Sequence, residues 1–140
     1  MTDENCIFCK IAHKEIPSDK IYEDENVFAF LDIHPVNKGH ALVIPKKHAV
    51  NIYDIEDEEI SKVIKTAQKI AKQLKVVVKA DGINIHMNNE KAGGQAVFHA
   101  HIHVIPRHEN DGLTHWESCG GYKEGESKEI AKILEDLLSK

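Results

Sequence analysis

The sequence predicts an α+β domain: an antiparallel sheet of about five strands, one long helix and a C-terminal helix. Three observations carry this. Apolar residues recur at helical spacing between Asp57 and Val78, whereas the other apolar runs are short or alternate. The order is strands, long helix, strands, terminal helix, which is not the alternation of a βαβ protein. No repeat or low-complexity segment interrupts it, so residues 1–140 read as a single domain.

Each element has its own local reason. The segment "FCKIAHKE" forms a short helical turn that Pro17 ends. "KIYEDENVFAFLDI" reads as two strands around the polar turn Glu23 to Asn26, because Val27, Phe28, Phe30, Leu31 and Ile33 favour strands. "PVNKGH" is a loop, and "HALVIP" is a buried strand stopping at Pro45. In the long helix Ile60, Val63, Ile64, Ala67, Ile70, Ala71 and Leu74 make the apolar stripe. Acids crowd its start and lysines follow, as the helix dipole prefers. Asp81-Gly82 turns the chain into "INIHMN", which alternates Ile83, Ile85 and Met87 against Asn84, His86 and Asn88. "VFHAHIHVIP" alternates again. A polar tail leads to a terminal helix capped by Ser127, with Ile130, Ile133, Leu134, Leu137 and Leu138 as its stripe. The helices are expected to cover one face of the sheet.

Composition bounds the function. The chain is 41% hydrophobic and 29% charged, with a formal net charge of −5 and no long basic run. That disfavours a nucleic-acid or anionic-membrane surface. There is no span-length apolar run and no basic-then-apolar leader in "MTDENCIFCK". The expectation is a cytoplasmic protein. Three cysteines, two of them in Cys6-x-x-Cys9, fit a reducing compartment, where such a pair serves metal or redox chemistry. Cys119 reads as a free thiol, and Trp116 as a packing residue.

The sharpest feature is "FHAHIHVIPR". On a strand His99, His101 and His103 share one face, while Ala100, Ile102 and Val104 point into a core. Three readings stay open: the polar face of an edge strand, ligands of a catalytic zinc, or an imidazole nucleophile for phosphorus. The preceding Gly93-Gly94-Gln95-Ala96-Val97 favours the third, since glycines let backbone N–H groups approach a phosphate closely.

These residues resemble the histidine triad (HIT) superfamily. "CIFCKI", "IPS", "YEDENVFAFLDI", "KGHALVIPKKH" and "GGQAVFHAHIHVIPR" stand in that family's order. The likeness spans about residues 6–107, leaving 108–140 as a divergent C-terminal tail with its helix. The nearest branch resembles the bacterial Hint-like nucleotide hydrolases. The resemblance implies a HIT-like fold and a phosphoramidase that cleaves at the α-phosphate of purine nucleotides. A dinucleoside polyphosphate hydrolase is the second activity it suggests, and a nucleotide-binding signalling protein with low turnover the third.

It also implies roles. His101 is the nucleophile, His99 and His103 flank it, and His40 is the supporting fourth histidine. His103 stands where the branch resembling galactose-1-phosphate uridylyltransferase carries Gln, which favours water as the final acceptor. Asp32 takes both ribose hydroxyls. Ile7, Phe8, Ile11, Phe30 and Leu31 form the base slot. Asn88, Gly94, Gln95, Ala96 and Val97 face the phosphates. Ala96 departs from the pattern, since many Hint-type enzymes carry Ser there. The resemblance further implies a homodimer, with the long helix and the "VFHAHIHVI" strand as contact surfaces. Last, it implies a structural Zn2+ held by Cys6, Cys9, His48 and His99.

Overall fold

The alternation of "VFAFL" and "ALVIP" builds the centre of the molecule. In the computed structural model, which describes residues 3–140, these become β2 (Val27–Leu31) and β3 (Ala41–Pro45), paired antiparallel with Phe30 opposite Leu42. β1 (Lys20–Glu23) flanks β2 across a turn in which the Asp24 carboxylate accepts the N–H groups of Asn26 and Val27. On the other side β5 (Ile102–Arg107) pairs with β3, and β4 (Gly82–His86) closes the sheet. The order is β1-β2-β3-β5-β4.

The period of 2 divides the side chains between two faces. Val27, Ala29, Ala41, Val43, Ile102 and Val104 meet α2 (Asp57–Val77) through Val63, Ala67, Ile70 and Leu74. Phe28, Phe30, Leu42 and Ile44 meet α1 (Ile7–Ala12) through Phe8, Cys9, Ile11 and Ala12. Gly39 sits at φ 97, where a Cβ would lie 3.1 Å from Leu74 and 3.2 Å from Val78. Only glycine suits both that backbone and that close approach.

Four expectations change. The helices do not all cover one face, since the short α1 lies on one side of the sheet and α2 on the other. The histidine strand begins at Ile102, so His99 and His101 precede it. The cause is local: the ring of His99 occupies the Pro45 carbonyl and the Ala100 N–H bonds the Ala49 carbonyl, which ends the ladder. β5 is an inner strand, so its hydrogen-bonding edges are used within the chain and the free edges belong to β1 and β4. Finally, α3 (Glu126–Leu138) starts after Gly125 at φ 79, placing Ser127 inside its first turn. Its apolar stripe is not buried anywhere on the chain.

Candidate functional site

The site grows from the α1 face of the sheet, where β3 and β5 bring their polar residues together. His40 precedes β3, and its Nδ1 accepts the Val36 N–H at 3.1 Å. Its proton therefore sits on Nε2 and is donated to His103 Nδ1 at 2.9 Å. That leaves His103 with an Nε2–H to give. His101 has Nδ1 at 2.6 Å from the His99 carbonyl. A carbonyl can only accept, so His101 carries its proton on Nδ1 and keeps the lone pair on Nε2. Phe8 of α1 stands edge-on to the His101 ring, with centroids 5.2 Å apart, and holds its plane.

Burial lowers the pKa of His101, against the pull of its carbonyl bond and of Asp32. Burial is also the main cause for His103, which is pushed down to about 4 with help from the His101, His40 and His86 rings. His40 is lowered by burial in the same way, against Asp32. The imidazoles are thus neutral at neutral pH, which suits a nucleophile. A consequence follows for stability. Unfolded His103 titrates near 6.5 and folded His103 near 4, so the unfolded chain binds more protons between those values. Stability is full above about pH 6.5 and declines as pH falls through the window toward 4. Thermal melts from pH 7.5 to 4 should show a falling midpoint, and a flat profile would contradict these protonation states.

Asp32 follows β2, with its Oδ1 accepting the His34 N–H at 2.8 Å and its Oδ2 3.7 Å from His40 Nε2. Lone pairs remain on both oxygens for a vicinal diol. Of the five apolar residues assigned to a base slot, Phe8, Ile11 and Phe30 lie in one buried cluster. Ile7 is half exposed at the surface of α1. Leu31 points the other way, toward the α2 cluster, as its place one residue after Phe30 dictates. Ile33, beside Asp32, is 81% exposed and was read from sequence only as a strand former.

The glycine loop divides its labour. Gln95 is buried, and its side chain is spent on the loop itself. It donates to the Val50 and Val97 carbonyls and accepts from the Glu90 N–H. Gly94, at φ 87, has its carbonyl 3.5 Å from Asn88 Nδ2. The N–H groups of residues 96–99 meet no acceptor among the described residues. Consecutive free N–H groups before a strand are suited to an anion.

His86 is a residue that sequence reasoning passed over as part of a polar strand face. It lies directly across from His103, with ring centroids 5.7 Å apart, and its buried Nε2 has no hydrogen-bond partner. The available signal was its alternation with Asn84 and Asn88, which places it on the histidine face.

His99 faces away from this pocket. Its Nε2–H is held by the Pro45 carbonyl at 2.9 Å, which leaves a lone pair on Nδ1. That atom is 3.2 Å from His48 Nδ1, 3.3 Å from Cys6 Sγ and 3.5 Å from Cys9 Sγ. The edges of a tetrahedron of N and S ligands around zinc are roughly 3.3–3.7 Å, given the usual bond lengths. The thiol sulfurs accept N–H groups from the turn as well, Cys9 N–H to Cys6 and Asp3 N–H to Cys9, each at 3.4 Å. Such bonds stabilise metal-bound thiolates. These four donors form a group able to hold a metal ion. Among the described residues no helix is long and apolar enough to cross a membrane.

Comparisons with known proteins agree with the geometry. Residues 13–110 match the HIT domain family model. The chain is 42% identical over 140 residues to the adenosine 5'-monophosphoramidase HNT1 of Saccharomyces cerevisiae, covering 99% of this chain and 84% of that protein. It superposes on a Streptococcus mutans crystal structure with a TM-score of 0.83 at 40% identity. That alignment takes in 99% of this chain, α3 included, and 86% of the other. A Zn-bound histidine triad family protein from Mycobacterium smegmatis matches with a TM-score of 0.76 at 38% identity, with 96% of each chain covered. A five-stranded antiparallel sheet, a histidine row behind a glycine loop, and a family match over most of the chain place this protein in the HIT family.

Proposed function

We propose that this protein is a nucleotide hydrolase that cleaves nucleoside 5′-phosphoramidates, or related adenylates, at the α-phosphate. The observation that carries the reading is the bond from His101 Nδ1–H to the His99 carbonyl, because it leaves Nε2 as a fixed, neutral nucleophile. His101 Nε2 forms a bond to the α-phosphorus as the bond to the leaving group breaks. The N–H groups of residues 96–99, with Asn88 beside Gly94, receive the phosphate oxygens. His103, held by His40, hydrogen-bonds through its Nε2–H to the phosphate or to the departing group, and the departing amine takes its proton from solvent, to which the attacking water returns one in the second step. Water then attacks the nucleotidyl-histidine, releasing the nucleoside monophosphate and restoring the neutral imidazole. The purine rests on the α1 surface around Ile7, with Phe8, Ile11 and Phe30 behind it. Leu31 contributes only through the packing beneath. Ala96 brings no hydroxyl to the leaving group, so backbone N–H groups carry that side of the site.

The yeast relative's name favours phosphoramidates over dinucleoside polyphosphates. A turnover panel of adenosine phosphoramidates, acyl-adenylates, dinucleoside polyphosphates and their guanosine counterparts tests this. Fastest cleavage of a dinucleoside polyphosphate would replace the assignment, and absence of turnover on every substrate would reduce the protein to a nucleotide-binding role.

Asp32 accepts both ribose hydroxyls in this reading. Losing one such charge-assisted bond costs about 1–3 kcal/mol. Calorimetry should therefore show AMP binding more tightly than its 2′-deoxy counterpart by roughly 5- to 150-fold. Equal affinities would remove Asp32 from the role.

The four-residue Cys/His group fits zinc by its donor set and spacing, and zinc is proposed there as a structural ion. Its chemistry is positional: with four protein ligands it ties α1, which carries Ile7 and Phe8, to the segment bearing His101. A homodimer is also proposed. β1 is a short edge with a register break and two charged ends, whereas β4 offers a regular free edge. Free edges need pairing or cover, and a second copy supplies it at β4.

A further inference from the structure

Cleavage of a P–N bond poses a proton problem that the histidines of the proposed mechanism do not solve. An amine leaves phosphorus as a neutral molecule only if its nitrogen gains a proton as the bond breaks. His40 and His103 hold two protons between them, one in the bond from His40 Nε2 to His103 Nδ1 and one on His103 Nε2. Loss of the second would force one ring into an imidazolate, because His40 Nδ1 already accepts the Val36 N–H. His101 keeps its proton on Nδ1 against the His99 carbonyl, which shares that proton but does not take it. These rings hydrogen-bond to a departing group without being able to give their protons away.

His86 is the imidazole on this face with both nitrogens uncommitted. It stands across the β4–β5 ladder from His103, with ring centroids 5.7 Å apart. Trp116 packs edge-on against the same ring, also at 5.7 Å, which limits its rotation. Nε2 is buried and meets no hydrogen-bond partner among the described residues. A buried nitrogen without a partner costs free energy, so Nε2 is suited to a partner that a substrate brings. Nδ1 is not hydrogen-bonded either, yet it is not enclosed. The ring lines a cleft of about 270 Å³ with Asn84, Ile105, Leu113 and Trp116, through which water reaches it.

We infer that His86 is a further catalytic residue, one that passes a solvent proton to the departing amine of a phosphoramidate. As His101 Nε2 bonds to phosphorus, the electron pair of the P–N bond returns to the amine nitrogen. That nitrogen takes the proton of His86 Nε2, while His86 Nδ1 takes one from solvent in the cleft. His86 stays neutral and ends as its other tautomer, which exchange with water resets. The attacking water of the second step returns a proton to solvent, so the cycle balances. His103 keeps its Nε2–H throughout. The inference rests on the phosphoramidase reading proposed above and names the route by which its proton arrives.

The test compares two derivatives of adenosine 5′-monophosphate on wild type, His86→Val and His86→Gln. One is the benzylamine phosphoramidate, whose leaving group needs a proton. The other is the 4-nitrophenyl ester, whose leaving group departs as a stable anion. Leaving-group release is followed in a single turnover. Both variants should release benzylamine at least about 100-fold more slowly than wild type, the usual share of a positioned proton donor. Release of 4-nitrophenol should slow by no more than about threefold, and AMP affinity should stay within about the same factor. Glutamine keeps a hydrogen-bonding group but passes no proton, so benzylamine release near wild type in His86→Gln would overturn the proton route. Equal slowing on both substrates would make His86 a packing residue and overturn it as well, as would no slowing on either. Should His86→Val fail to fold in thermal melts, the contrast between the two substrates in His86→Gln decides alone. A wild type that releases neither leaving group would overturn the hydrolase reading itself, whereas an active wild type with an insensitive His86 overturns only this inference.

Discussion

Replacing His101 with alanine should lower kcat by about four orders of magnitude or more, as loss of a covalent nucleophile does. The same variant should bind AMP within about tenfold of wild type, because the ribose and base contacts are untouched. The contrast is what makes the test informative. His101 sits between Phe8 and the His99 carbonyl, and its only free polar atom is Nε2. If its role were merely to fill space, an alanine would leave a cavity and some instability but would not separate kcat from binding so sharply. Near wild-type turnover in steady-state assays of His101→Ala would mean that another group attacks phosphorus.

The second large effect belongs to the cysteine pair. Protein purified without chelators should contain about one zinc per chain by elemental analysis. Cys6→Ser with Cys9→Ser should lose that metal and become less stable by roughly 3 kcal/mol or more, a drop of about 10 °C in Tm for a chain of this size. KM should also rise, since α1 bears Ile7 and Phe8 and would no longer be tied to His48 and His99. His99 makes the coupling direct: it is the residue before Ala100 and two before His101, the proposed nucleophile, and it faces the thiols rather than the proposed phosphate site. Full metal retention in the double variant, measured alongside the melts, would sink the four-ligand assignment.

Much of this architecture was legible in the residues. The period of α2 and the alternation of β2 and β3 are strong signals because each buries a whole face, and burial enforces period. Cys6-x-x-Cys9 suggested two metal donors from one turn, the family resemblance added His48 and His99, and the structure brings all four side chains into one group able to hold a metal ion. The histidine row was legible in composition but not in backbone. His99 and His101 lie before the strand, since tertiary bonds to Pro45 and Ala49 overrule the local alternation. Gln95 shows the same limit. Its position in the glycine loop suggested contact with phosphate, yet its amide is used up by Val50, Val97 and Glu90. His86 was hidden because strand register, which no local pattern states, decides that it stands across from His103. α3 was readable as an amphipathic helix, but its periodicity did not say that the stripe would stay exposed, because burial depends on tertiary placement rather than on local pattern.

The most direct measurement is mass spectrometry of the intact chain, and of its peptides, after rapid acid-free quenching of a turnover mixture with an adenosine phosphoramidate. The account predicts transient adenylylation of the peptide spanning residues 98–107, on His101, appearing before free AMP and decaying as AMP accumulates. Adenylylation at a different residue, or AMP formed in single-turnover conditions with no covalent species at any time, would contradict it.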